Sequence, residues 1–199
     1  MNIAKKLIDF VMDILETIVF VGSLFIVVYL FLFQPHMIKG ASMDDSFHDG
    51  DYILTSKIAY RFDAPKHGDV VVFKSPRNPD IDFIKRIVGL PGDKVKVANG
   101  SVYVNDTPLS EPYAKHPITV MFEGFLQEGV DVTVPKGYIF VMGDNRPRSS
   151  DSREFGFIPQ TDIVGEVFFQ YFPPSHFGPI KNPFANKKMQ SLQRVFYFS

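Results

Sequence analysis

Apolar and polar positions change rhythm once along this chain, and the change divides it. Leu7, Val11 and Ile14 recur at helical spacing, which predicts a helical lead-in over Ile3 to Leu15. From Thr17 to Ile38 there is no Asp, Glu, Lys or Arg, and Ile18 to Phe33 is almost wholly apolar. About 20 such residues span the hydrocarbon core of a bilayer. Residues 17–38 are therefore expected to form a single transmembrane anchor, after a short cytoplasmic segment at 1–16. A cleavable leader has an apolar region of only about 7–15 residues, shorter than this run. Lys5 and Lys6 lie before the span and Lys39 close after it, a slight bias toward a cytoplasmic N-terminus.

Beyond Ser42 the period shortens to two. Asp51–Thr55, Asp69–Lys74, Tyr138–Met142 and Ile163–Phe169 are short runs rich in β-branched and aromatic residues. Lys94–Val104 alternates on both sides of Asn99-Gly100, a pair that readily takes the positive φ angles of a type I′ hairpin turn. The 15 Pro and 14 Gly punctuate these runs. The expected fold is mainly β: an antiparallel sandwich or barrel-like domain at 39–178, carried on one N-terminal helix. Thr107 to Gly137 reads least regularly and is expected to be an insertion. The tail, 179–199, is basic and aromatic: Lys181, Lys187, Lys188 and Arg194 occur without an acid before Val195-Phe196-Tyr197-Phe198. It reads as a loosely packed terminus, with membrane-surface contact as the alternative.

Composition narrows the function classes. Net charge is −1, so no global basic field points to nucleic acid. Cysteine is absent, which removes disulfides, thiolate metal sites and a Cys nucleophile. The five histidines (His36, His48, His67, His116, His176) follow no metal-ligand spacing, so no metal or other cofactor is expected. Gly89-Leu90-Pro91-Gly92-Asp93-Lys94 lacks the spacing and following helix of a phosphate loop.

The candidate chemistry lies in three blocks. Gly40-Ala41-Ser42-Met43 stands at the exit of the apolar run; Asp82–Asp93 contains Lys85; and Gly143-Asp144-Asn145-Arg146 begins a third block that continues to Arg153. A serine hydroxyl needs a base, and a lysine serves only where its surroundings keep it uncharged. Phe83 and Ile84 precede Lys85 in an apolar stretch that can desolvate the amine. His48, six residues from Ser42, offers a Ser-His alternative, but it reads as a solvated loop histidine.

In order and spacing these blocks resemble the bacterial type I signal peptidases, membrane-anchored Ser-Lys serine proteases, from about Val19 to Pro174. The resemblance implies Ser42 as nucleophile, with its backbone N–H as an oxyanion donor, and Lys85 as general base. Ser149 then matches the serine that orients the lysine. Asp144 and Arg146 match the family's Gly-Asp-Asn-Arg box, and Asp151 with Arg153 matches a structural ion pair near the site. Ile38, Met43, Ile53, Val72, Phe83 and Ile84 fall where the family lines shallow S1 and S3 pockets, which implies cleavage after small residues at −1 and −3. The implied partners are signal peptides of translocated preproteins and the lipid bilayer, with a monomeric enzyme whose catalytic domain is extracytoplasmic. Two positions depart from the pattern. Gly40 replaces a hydroxyl residue found in some members, and Asp45-Ser46-Phe47 stands where the family usually has Pro-Thr-Leu. Loss of that proline loosens the turn, and a carboxylate facing the site would raise the lysine pKa. Two rivals remain: a self-cleaving Ser-Lys regulator, which would usually carry a DNA-binding segment, and a catalytically silent membrane-tethered β module.

Overall fold

The computed structural model describes residues 3–44, 46–118, 120 and 124–185. Asp45 and most of the basic-aromatic tail lie outside the described residues.

A single helix, α1, runs from Ile3 to Leu32 and merges the expected lead-in with most of the apolar run. It is long and apolar enough to cross a membrane, and none of its residues is buried against the domain. The expected span of 17–38 is corrected at its end. Residues Phe33–Met37 form a strand, β1, because their backbone pairs antiparallel with Tyr52–Ser56, β2, from Phe33 opposite Ser56 to Met37 opposite Tyr52. Helix therefore passes into sheet without a linker, and the Lys57 N–H donates to the Leu32 carbonyl at 2.9 Å across the junction.

The remaining strands follow in chain order: β3 (Val70–Lys74), β4 (Asp82–Gly89), β5 (Lys94–Ala98), β6 (Ser101–Val104), β7 (Thr107–Pro108), β8 (Val132–Thr133), β9 (Tyr138–Met142), β10 (Ile158–Pro159), β11 (Ile163–Phe172) and β12 (Gly178–Pro179). The larger sheet is ordered β1-β2-β11-β3-β4-β9-β10, with β12 added to β11; the smaller is β7-β6-β5-β8. All pairings are antiparallel, as the alternating runs require. The β5–β6 hairpin turns at Asn99 (φ 51°) and Gly100 (φ 73°), the positive pair expected of that dipeptide. The 107–137 segment contributes more than an excursion: Ile118, Leu126 and Val134 are buried with Val95, Val97 and Phe140 and close the core under the smaller sheet.

The register of β4 positions the site. Val71 lies opposite Lys85 and Phe73 opposite Phe83, while Val72 faces Ile84 and Val70 faces Arg86. Paired residues share a face and successive residues alternate, so Lys85 and Arg86 project from opposite faces.

Candidate active site

Ser42 sits in the turn that follows β1. Gly40 enters it at φ +93°, a left-handed conformation that favours glycine, and its N–H is held by Asp49 Oδ1 at 2.7 Å. The Asp44 N–H donates to the Ala41 carbonyl at 3.2 Å, and the N–H groups of Ser46 and Phe47 donate to the Met43 carbonyl at 2.8 and 2.7 Å. Met43 and Phe47 are buried, and they anchor the turn from beneath.

Lys85 reaches that turn from β4. Its Nζ lies 2.8 Å from Ser42 Oγ and 2.9 Å from the Ile84 carbonyl. The side chain is only 4% exposed, and desolvation lowers its pKa from 10.5 to about 8 against the opposing fields of Asp151 and Asp144. The Phe83 ring contributes to that apolar cover, 5.2 Å from Nζ. A neutral amine offers a lone pair as well as two N–H donors, so the same 2.8 Å contact accommodates a proton on either heteroatom.

The third block frames the pair through Gly143. Its N–H donates to Asp151 Oδ2 at 3.0 Å, and its carbonyl accepts from Arg146 Nε at 3.0 Å. Both side chains are fixed in turn. Arg153 grips Asp151 through Nε and Nη2, each at 2.8 Å, and Arg146 is paired with Glu111, one contact being Nη1 to Oε2 at 2.8 Å. A Cβ on Gly143 would stand 2.4 Å from the Ser42 carbonyl and 2.2 Å from Ser149 Oγ, so only glycine lets the Ser42 turn approach. The Asn145 N–H completes the seam by donating to the Ser42 carbonyl at 3.1 Å.

Two expected arrangements differ in detail, those of Ser149 and of the pocket residues, while the Asp144 and Arg146 side chains of the box take separate partners. Asp144 takes a bidentate bond from Arg86 (Nε to Oδ1 2.8 Å, Nη2 to Oδ2 2.6 Å) and a further bond from the Ser46 hydroxyl at 2.5 Å. Ser149 lies beside Ser42, but its buried Oγ has no hydrogen-bond partner among the described residues. The six expected pocket residues also divide. Ile38, Met43, Ile53 and Val72 form one buried cluster with Ile84 against it; Phe83 packs on the other face of β4 with Phe73 and Phe155.

Sequence reasoning missed Arg86, Ser46, Glu111 and the Gly143 contact. The clearest available signal was Arg86 itself, a cation inside a strand that reads as apolar, which needs a buried partner. Ser46 also recasts the departure at 45–47: a hydroxyl persists at the middle position and a buried apolar ring, Phe47, at the third. His48 stays away from catalytic company; its partners among the described residues are Asp51 and the His176 ring. Two cavities, of about 190 and 400 Å³, are lined by neither Ser42 nor Lys85.

A β domain on an apolar helix, with a serine hydroxyl against a buried lysine, has the parts of an anchored serine hydrolase. Residues 11–172 match the family described as signal peptidase, peptidase S26. Signal peptidase IB of Staphylococcus aureus (strain COL) is 35% identical over 185 residues, covering 86% of this chain and 96% of the relative. Probable signal peptidase I-1 of Synechocystis sp. is 38% identical over 157 residues, covering 75% of this chain and 76% of its own. A crystal structure of a signal peptidase I from Enterococcus faecalis V583 aligns at 35% identity and a TM-score of 0.43, over 52% of this chain and 97% of that one. The chain belongs to the signal peptidase family S26, as the resemblance implied. It is a serine peptidase of the signal peptidase I type, a hydrolase that removes signal peptides.

Proposed function

We propose that this enzyme cleaves by a Ser42–Lys85 dyad, on the extracytoplasmic side of a membrane anchored by α1, after small residues at −1 and −3 of translocated preproteins. The observation that carries the proposal is the 2.8 Å contact between Ser42 Oγ and a lysine whose pKa burial lowers to about 8. Neutral Lys85 takes the proton from Ser42 Oγ as the oxygen attacks the carbonyl carbon of the −1 residue. The resulting oxyanion is held by the Ser42 backbone N–H. Collapse breaks the C–N bond, and the Lys85 ammonium gives its proton to the departing amine. Lys85, neutral again, takes a proton from a water that attacks the ester carbonyl; collapse breaks the bond to Oγ, and the ammonium returns its proton to Ser42 Oγ.

During these transfers Lys85 must keep its lone pair on Ser42. The Ile84 carbonyl takes one N–H. The buried, unpartnered Ser149 hydroxyl is the group we assign to the other, which makes it a positioning residue. The cluster of Ile38, Met43, Ile53, Val72 and Ile84 supplies an apolar floor that favours small side chains, while Phe83, on the other face of β4, covers Lys85. The enzyme acts as a monomer, without a cofactor in the reaction.

The test is a preprotein series in detergent micelles with Ala, Leu or Phe at −1, run with wild type and Ser42→Ala. Cleavage after Ala alone, abolished in the folded Ser42→Ala protein, is expected. Efficient cleavage after Phe defeats the specificity assignment, and retained cleavage by Ser42→Ala defeats the nucleophile.

A further inference from the structure

Histidine 48, Asp51 and His176 lie apart from the dyad and have no part in the reaction above. Each offers one ligand atom, and the three atoms all lie within 4.8 Å of one another. His48 and Asp51 belong to one turn, closed by the Asp51 N–H donating to the His48 carbonyl at 3.1 Å. His176 ends the short 3-10 turn Pro174–His176 between β11 and β12. The two imidazoles stack with centroids 5.6 Å apart and planes 22° from parallel.

We propose that these three side chains bind a divalent transition metal of the zinc class. Two imidazoles and one carboxylate are the donors such borderline ions select, whereas Mg²⁺ and Ca²⁺ favour all-oxygen sets. The carboxylate is already oriented. Asp51 is 4% exposed, and its Oδ2 accepts from the His48 N–H and from Gln170 Nε2, both at 2.8 Å, which holds the carboxylate with Oδ2 3.8 Å from His48 Nδ1. In a tetrahedral site with bonds near 2.1 Å, ligand atoms stand about 3.4 Å apart. The histidines are exposed, so rotation about their side-chain bonds supplies the remaining closure of roughly an ångström. Water completes the coordination.

Such an ion is a clamp rather than a reagent. The turn it binds is laced to the strand leading to Ser42: the Gly50 N–H donates to the Ile38 carbonyl at 2.9 Å, and the Ile38 N–H to the Asp51 carbonyl at 2.8 Å. Metal would tie this lacing to the end of β11, while peptide hydrolysis proceeds without it. Spacing rules passed over the site because its third ligand lies far along the chain.

The full chain in detergent micelles, titrated calorimetrically with ZnCl₂ and with MgCl₂ as the hard-cation control, tests the site. One zinc per chain is expected, with no response to magnesium and a rise in Tm of roughly 5–10 °C at 100 times the Kd. The exposed substitutions His48→Gln and His176→Gln should each weaken zinc by about tenfold or more, and His116→Gln should not. Absence of binding at about 100 µM zinc overturns the proposal, as does undiminished binding in both cluster variants. Peptidase activity should persist in EDTA. A rate abolished by the chelator and restored by zinc would replace the clamp with a catalytic metal and overturn it too.

Discussion

Lys85 and Arg86 are adjacent on β4 and equally buried, each 4% exposed, yet their surroundings treat the two cations oppositely. On one face, Lys85 meets a hydroxyl and a carbonyl, both neutral, and desolvation lowers its pKa to about 8. On the other, Arg86 meets the Asp144 carboxylate in a bidentate bond, the Gly68 carbonyl at 2.9 Å and the Tyr113 ring, 4.2 Å from its guanidinium carbon. A guanidinium stays charged at any working pH, so its burial demands a counter-charge; an amine can shed its proton instead. Strand alternation lets one dipeptide serve the proposed reactive face and a structural face, with Asp144 as the direct partner of the arginine.

The sharpest way to break this division is Lys85→Arg, which imports the permanent charge of one face into the other. Processing should fall by about 10³-fold or more in a folded protein, measured as kcat/KM on a preprotein. Retained processing removes lysine from the role of base. The converse experiment is Arg86→Met, which strands Asp144 without its cation. Stability should fall by about 3–5 kcal/mol in urea denaturation, and Arg86→Met with Asp144→Leu should recover much of it, because the pair together contributes little net energy.

A third change sharpens the contrast by removing the desolvated amine. The folded-state pKa of Lys85 lies below its ordinary 10.5, so between about 8 and 10.5 the unfolded chain binds more protons than the folded one. Wild-type stability therefore climbs as pH rises through that window, and the penalty is fully present below it. Lys85→Met should be inactive yet more stable at pH 7, by up to about 3 kcal/mol, and its stability should lack this climb. Equal urea midpoints for the two proteins at pH 7 argue against a penalised amine. The smallest effect belongs to Ser46→Ala. Loss of its hydroxyl from Asp144 should cost about 1–2 kcal/mol while leaving the acidic limb of kcat/KM near pH 8, since the lost contact lies on the arginine's side.

What was legible from sequence followed local rules. The Asn99-Gly100 hairpin and the alternating strands came from spacing and residue type, whereas the juxtaposition of Ser42 and Lys85 was what the family resemblance implied. β1 was hidden because Phe33–Met37 continues an uncharged run without a turn residue; only its pairing with β2 makes it a strand. The partner of Asp144 was hidden because buried charge pairs are set by register, and Arg86 lies opposite Met142 on the neighbouring strand. The separation of Phe83 from Ile84 also follows from alternation, but nothing local says which face meets the turn.

The helix-to-strand junction gives the enzyme a measuring rod. β1 is five residues long, about 16 Å at strand rise, and hydrogen-bonded along its length to β2. A loose tether of the same length would let Ser42 sweep a volume above the end of α1; a paired strand holds it at one height. With α1 in the bilayer as proposed, that height picks out a bond by how far it has emerged from the lipid. Under the proposed specificity, an incoming chain is then judged by two criteria, the size of its residues and their distance from its own apolar stretch.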